Sequence, residues 1–475
     1  MKVTFIGHES WLVSCRGFNF LVDPILENGF GSDSRREFTI QPRRVVDVDG
    51  MPPISAIIYT TEHLQHFHPR SLVKVRKKMR IAELRVFVPE LFPIAAQKII
   101  EELGFICERI PCGVDFAFEG ARFRFYMPHK DVLFWDSRVS SLYIEEMGES
   151  ILIQSDTLIS DDYYSDILKK VALKPSLLIV TNNFQRSKEG FSIGLDNLLP
   201  VEDEKYKKAA GLRLLNSLIS VPIKRIGSAP RILIVGNGYN NHNNSIDHIW
   251  SNEKLANAAR ELSILGGVSA LSPGFSYCME FESISEGVSW IHDPGHEEYN
   301  EEEKGGRCKD EGNVSMSSHE IKLALDDMAK SWIITRYGQA ILSQQTYLGR
   351  DLGSKKVVIV LTSEKGDLHF VFDVSTVSFH EVGRCDDPMR EYPFGIIADY
   401  SDFVDMLSGK IQVWELMNFS ASQWYVCNRY DSPLAFMLEY FGEQADNDLA
   451  YKTYKSSLNF GIDLIPEQGS KAEFL

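Results

Sequence analysis

Ile54-Ser55-Ala56-Ile57-Ile58-Tyr59-Thr60-Thr61-Glu62-His63-Leu64-Gln65-His66-Phe67-His68-Pro69 decides how this chain is read. The apolar run predicts a buried strand over residues 56–59. Three histidines follow within six residues, and Pro69 opens a helix predicted to reach residue 79. A strand ending in imidazoles carries neutral nitrogen donors to a sheet edge, and such donors suit zinc, iron or manganese. His63 and His66, three residues apart on a loop, can converge on one ion. His68 stands directly before Pro69, where it is either a further ligand or a cap for the helix.

Other predicted strands end in side chains of the same kind. Strands over 3–6 and 11–14 flank Gly7-His8, and a strand over 18–22 ends in Asp23-Pro24. A strand over 122–127 runs into Pro128-His129, and one over 150–154 ends at Ser155-Asp156. The strand over 232–235 leads into an amide-rich stretch, 236–244, that contains His242. Each has an ordinary reading by itself. Asp156 suits a turn, or an N-cap for a helix near 159–163; Asp23 suits a strand-ending turn; 236–244 suits an asparagine-rich turn. Taken together they bring His8, Asp23, the histidine loop, His129, Asp156 and His242 towards one edge.

The bulk properties narrow the class. A chain of 475 residues, 44% of them hydrophobic, can bury a large core and suggests two domains. A formal net charge of −16 argues against nucleic acid and anionic membranes as partners. The basic run at 74–80 reads as the solvated face of the helix after Pro69. Seven cysteines, an odd number with no Cys-x-x-Cys pair, suggest isolated thiols in a reducing compartment. The spacing of a Rieske iron–sulfur centre is absent. The first residues enter a strand at once, with no signal-peptide pattern, and no apolar run approaches the ~18–20 residues of a membrane span. The expectation is a cytoplasmic protein.

The expected domains are 1–275, an acidic, glycine-bearing linker or surface loop at 276–318, and a smaller α+β domain at 319–475. In the last, helices are predicted at 319–332 and 400–407, and strands at 357–362, 368–373, 376–381 and 423–427. A helical stretch is also expected over 203–219.

The order of Gly7-His8, Val22-Asp23-Pro24, a strand into Thr61-x-His63-x-Gln65-His66, and a hairpin into Ser155-Asp156-Thr157 resembles the metallo-β-lactamase superfamily over about the first 275 residues. Ser140–Ile144 leading to Ile151–Asp156, and Asp405–Trp414, are similar to the hydrolase and oxygenase branch that includes CMP-N-acetylneuraminate hydroxylase, without its Rieske domain. The resemblance implies an α+β fold, an αββα sandwich with a metal site at its edge, followed by the smaller α+β domain. It makes His63 and His66 the second and third histidines of the family's metal loop. Thr61 stands in place of the first histidine, and Gln65 in place of the aspartate. Asp156 matches the bridging aspartate, His129 the histidine between loop and bridge, and His242 is the candidate for the last histidine.

The two substitutions remove one ligand from each of two metals, and a neutral amide is a weak ligand. A dinuclear hydrolytic centre is therefore not expected. What the resemblance leaves is one transition-metal ion, iron, zinc or manganese, held by His63, His66 or His68, His129 and Asp156, or an empty centre. His129 is then a ligand or an acid/base. The expected activity is that of a metal-dependent hydrolase or oxygenase acting on a polar, sugar- or nucleotide-like small molecule. An oxygenase would need a separate electron-donor protein. The alternative is a catalytically inactive binding or scaffold protein of the same fold. For the C-terminal domain the sequence leaves open capping the site, homo-oligomerisation or docking a partner.

Overall fold

This computed structural model describes residues 1–32, 36–79, 84–130, 132, 137–183, 196–197, 208, 211–236, 239–240, 250–262, 267–293, 315–333, 346–347, 350–351, 356–373, 376–392, 394–420, 422–425 and 448–462.

Two sheets face each other. The first has the order Ser283–Ser285, Ser276–Cys278, Lys2–Gly7, Ser10–Cys15, Phe18–Val22, Ala56–Ile58, Arg85–Pro89, Ile106–Ile110. The second runs Asp115–Phe118, Ala121–Tyr126, Ser141–Glu146, Glu149–Ile153, Leu177–Thr181, Arg231–Val235, Val268–Ala270. Each begins with antiparallel hairpins and finishes with parallel strands.

Alternation along the strands explains the layers. Val3, Phe5, Val13, Phe20 and Ile58 meet Phe123, Phe125, Ile144, Ile151, Ile179 and Val235 between the sheets. Their neighbours Ile6, Leu12, Leu21 and Ile57 face outward against Leu72 and Val75 of the helix Pro69–Met79 and Ala96, Ile99 and Ile100 of Ile94–Glu102. On the other side Leu152, Leu178, Ile232 and Ile234 pack on Tyr163, Leu218 and Leu255 of the helical segments there. Burying each such side chain contributes about 1.5–3 kcal/mol. The layers are helix, sheet, sheet, helix: the αββα sandwich.

Most expected elements match closely. The helix Pro69–Met79 agrees end for end; the next, Ile94–Glu102, has Pro93 at its N-cap in extended backbone. The stretch expected to be helical to residue 219 includes a π turn over Asn216–Ser220 and continues as Val221–Ile226 to Gly227, a left-handed cap. Residues 203–207, 241–249 and 294–314, the last with most of the acidic loop, lie outside the described residues.

The segment 276–292 does more than link. Ser276–Cys278 pairs with Lys2–Gly7, and Ile291–His292 pairs with Val45–Val46. The C-terminal unit is a sheet of order Asp196–Asn197, Ser422–Tyr425, Phe394–Asp399, Val357–Thr362, Leu368–Asp373, Ser378–Val382, packed on Ser318–Ile333 and Tyr400–Ser408. The final helix, Asp448–Ile462, leaves that unit and lies on the sandwich, with Tyr454 and Leu458 in the core beside Leu72 and Ile99. Tyr454 meets Phe67 of the histidine loop edge-on at 5.3 Å. No described helix is long and apolar enough to cross a membrane. The five described cysteines are free thiols.

Candidate metal centre

Polar side chains converge where the parallel strands of both sheets end, the edge at which open α/β sheets place ligands. Phe18–Val22 ends at Asp23, Ala56–Ile58 at the histidine loop, Glu149–Ile153 at Asp156, and Leu177–Thr181 at Asn183. Asp156 is free for this edge because Ser160, not Asp156, caps the helix Asp161–Leu168: its hydroxyl accepts from the Asp162 amide at 3.1 Å.

His66 lies at the middle and is fully buried. Its Nδ1 is 2.9 Å from Asp23 Oδ2 and its Nε2 is 3.1 Å from Asp156 Oδ2. Asp23 adopts a left-handed backbone at φ +46. Its carboxylate accepts from the Thr60 amide at 2.8 Å and the Thr60 hydroxyl at 2.6 Å. Asp156 Oδ2 also accepts from the Gln65 amide, while Oδ1 accepts from Asn183 Nδ2 at 2.6 Å and Thr181 Oγ1 at 3.3 Å.

The electrostatics follow from this packing. Burial opposes a charge on His66, but Asp23 and Asp156 outweigh it and raise the imidazole well above its usual value. Burial likewise opposes the Asp156 charge, yet the His66 hydrogen bond and charge hold the carboxyl well below the usual range. Burial, then the charge of Asp156, pushes the nearby Glu9 carboxyl up to about 8. His63 is kept neutral: burial lowers it to about 4, against the opposing pull of Glu62. Arg138 ion-pairs with Glu62, Nε to Oε1 at 2.9 Å, and so holds the loop beside His63.

The expected site residues fall into three groups. His63, His66 and Asp156 are brought together, with His63 and His66 ring centres 6.4 Å apart. His68 is turned elsewhere. Arg70 Nε donates to its Nε2 at 3.2 Å, so Nδ1 carries the proton and donates to Ser71 Oγ at 2.7 Å. Burial and the Arg70 and Lys74 charges push it well below its usual value. Its ring is thus tied to side chains of the first helical turn. His129 stands on the same edge but beside Asp161, 3.9 Å away, at the helix start. His242 lies outside the described residues.

Among the described residues, no group of three or more His, Cys, Asp or Glu stands together in metal-ligating geometry. His66 Nε2 and Asp156 Oδ2 form a hydrogen bond at 3.1 Å, a spacing close to that of two donor atoms each bonded to one ion at about 2.0–2.2 Å. A carboxylate on the far nitrogen, here Asp23, is the usual support of a ligating histidine.

Thr181, Asn183 and Glu9 are the members that strand and loop patterns left out, while Asp23 was placed at this edge without its partner His66. The strand-ending Asp23-Pro24 and Thr181-Asn182-Asn183 were their only signal in the sequence. Arg44 shows why local reading falls short. It is buried and donates to the carbonyls of Ile6 at 2.9 Å, Ile25 at 2.8 Å and Glu27 at 2.8 Å, clamping the His8-Glu9 turn to the loop after Asp23.

The architecture defines a protein with a metallo-β-lactamase-like fold. No family model and no curated protein matches the chain. Among solved structures it is similar to an isothiocyanate hydrolase from Delia radicum gut bacteria, at 16% identity over 58% of this chain and 99% of that one, with a TM-score of 0.39. It is also similar to a possible metal-dependent hydrolase from Veillonella parvula DSM 2008, at 16% identity over 58% of this chain and 98% of that one, TM-score 0.41. A third is CmlA, a diiron β-hydroxylase from Streptomyces venezuelae, at 14% identity over 57% of this chain and 53% of that one, TM-score 0.37. At these scores, the fold rests on the strand order and layers described above.

Proposed function

We propose that this chain is a metal-dependent hydrolase or oxygenase that works at a single metal ion on a polar, sugar- or nucleotide-like small molecule. The line Asp23–His66–Asp156 carries the reading. Asp23 accepts a hydrogen bond from Nδ1 and so orients the ring, which sets Nε2 towards Asp156 Oδ2, 3.1 Å away. His66 and Asp156 would hold the ion, with neutral His63 as the third donor from the same loop. When bound, such an ion supplies Lewis-acid activation of water or oxygen. The chain's own residues orient: Asp23 fixes the His66 ring, and Asn183 and Thr181 fix the Asp156 carboxylate. The oxygenase form draws electrons from a separate donor protein. The free thiols fit a reducing, cytoplasmic setting.

Metal analysis of the purified chain, expressed with added iron, zinc and manganese, tests this directly. Close to one equivalent is expected, lost when His63 and His66 are both changed to alanine. Less than about a tenth of an equivalent in the wild type overturns the reading.

A second reading has its own support. With a proton on both ring nitrogens, His66 is a cation between Asp23 and Asp156, and the Gln65 amide closes Asp156 Oδ2. The imidazolium then takes the place of the ion, and the chain is an inactive binding or scaffold protein of the fold. The same metal analysis separates the two.

A further inference from the structure

The histidine loop sends its polar and its apolar side chains to different places. Gln65 and His66 reach Asp156, with the His63 ring beside His66, while Leu64 and Phe67 are buried in two separate apolar clusters. The loop's own backbone closes a turn: the His66 and Phe67 amides donate to the His63 carbonyl at 2.8 and 2.7 Å. Such a turn fixes the chain locally, and close packing around its side chains fixes where they aim.

Both clusters are completed by rings from the far end of the chain. Leu64 lies with Phe30 and Phe38, and Trp414 and Phe419 of the helix Val413–Phe419 pack against that cluster, with the Phe38 and Phe419 rings 4.9 Å apart. Phe67 meets Tyr59 at 5.2 Å, Phe92 at 5.6 Å and, from the final helix, Tyr454 at 5.3 Å, each edge-on. Each of the two helices is itself fastened to the sandwich. In the first, buried Glu415 accepts from the Ser32 amide and hydroxyl, both at 2.6 Å. In the second, the Tyr451 hydroxyl donates to Glu102 Oε1 at 2.5 Å, and Lys455 ion-pairs with the same carboxylate.

We propose that these two C-terminal helices clamp the histidine loop from either side, with Trp414 and Tyr454 as positioning residues that aim His63 and His66 at Asp156. The clamp stands on the packing; its effect on a bound ion rests on the metal-dependent reading above. The C-terminal part of the chain then acts on the centre through the apolar neighbours of the histidines.

Two readouts on the full-length chain test this: hydrogen exchange at the His66 and Phe67 amides, and Co(II) titration followed by visible absorption. Tyr454→Ala should speed that exchange at least about tenfold, weaken Co(II) binding about 10–100-fold and shift the absorption bands. Tyr454→Phe keeps the ring and should restore both. Leu458→Ala, one turn further along the same helix and in the same cluster, loosens the helix without removing that ring, and should leave the two amides near their wild-type rates. Equal effects of Tyr454→Ala and Leu458→Ala, or unchanged loop exchange in Tyr454→Ala, overturn the clamp. Faster exchange with unchanged Co(II) affinity and spectrum overturns the positioning role. No Co(II) binding by the wild type overturns the metal-dependent reading, and the exchange comparison still decides the clamp. If Tyr454→Ala does not fold, Trp414→Ala tests the other side: faster exchange at the two amides supports the clamp, and wild-type exchange overturns it.

Discussion

The centre at the strand ends and the seam with the C-terminal unit both bury charge, but they balance it differently. At the seam, Arg36 pairs with Asp402 and, at 2.9 Å, with Asp405, which Lys410 also reaches at 3.2 Å. Buried Glu415 accepts from the Ser32 amide and hydroxyl, each at 2.6 Å, and from the Gln412 amide at 2.8 Å. Its two Asp carboxylates have two cations, and Glu415 has three donors. At the centre, Asp23 and Asp156 share the His66 imidazole, and burial with the charge of Asp156 pushes the neighbouring Glu9 carboxyl up to about 8, which favours its neutral form. Matched charge fastens two units together; at the centre one imidazole lies between two carboxylates, and burial keeps the third carboxyl protonated.

The strongest way to break this contrast is Asp156→Asn. It keeps the shape of the side chain and should bring bound metal below about a tenth of an equivalent by elemental analysis. A variant that keeps its metal would move the centre elsewhere. Arg36→Ala is the counterpart at the seam. It leaves Asp402 without its cation and Asp405 with Lys410 alone, and should cost about 3–5 kcal/mol in denaturant unfolding, with metal per folded chain unchanged. Metal loss in that variant would erase the distinction between the regions.

Asp23→Asn sharpens the view of His66. It removes the carboxylate that fixes the ring, and should weaken metal binding about 10–100-fold without abolishing it. The smallest effect is expected at a half-exposed cluster on the outer edge of the second sheet. There slight burial opposes the Asp115 charge, but Arg124 and Arg122 outweigh it and hold the carboxyl below its usual value. The unfolded chain takes up that proton at higher pH than the folded one. The contribution is therefore complete above about pH 4 and is lost as the pH falls through the lowered folded value. Melting curves of wild type and Asp115→Asn should differ modestly at neutral pH and converge in acid; a gap that persists in acid would mean that charge is not its origin.

Much of the architecture was legible along the chain because it is local. Alternating and continuous apolar runs mark the strands, and Pro69 and the following pattern mark a helix that matches end for end. The hairpin into Asp156 was legible for the same reason. Less legible was 276–292, since Ser276–Cys278 is only three residues long and becomes a strand by pairing with Lys2–Gly7, far away in sequence. The last helix also gives no local sign that its apolar face belongs to the sandwich rather than to its own unit.

The site divides in the same way. By itself, the amino-acid order determined that strands end in His63, His66 and Asp156, because strand periodicity and a following turn need only neighbours a few residues apart. Only the tertiary structure decided what those side chains are. His66 and His68 are two residues apart and equally buried, yet carboxylates surround one and Arg70 and Ser71 hold the other. Glu9 reaches Asp156 through Thr181 and Asn183, groups more than 170 positions further along the chain. Charge, proton position and ligand geometry depend on which distant strand ends meet, and that is settled when the two sheets close on one core.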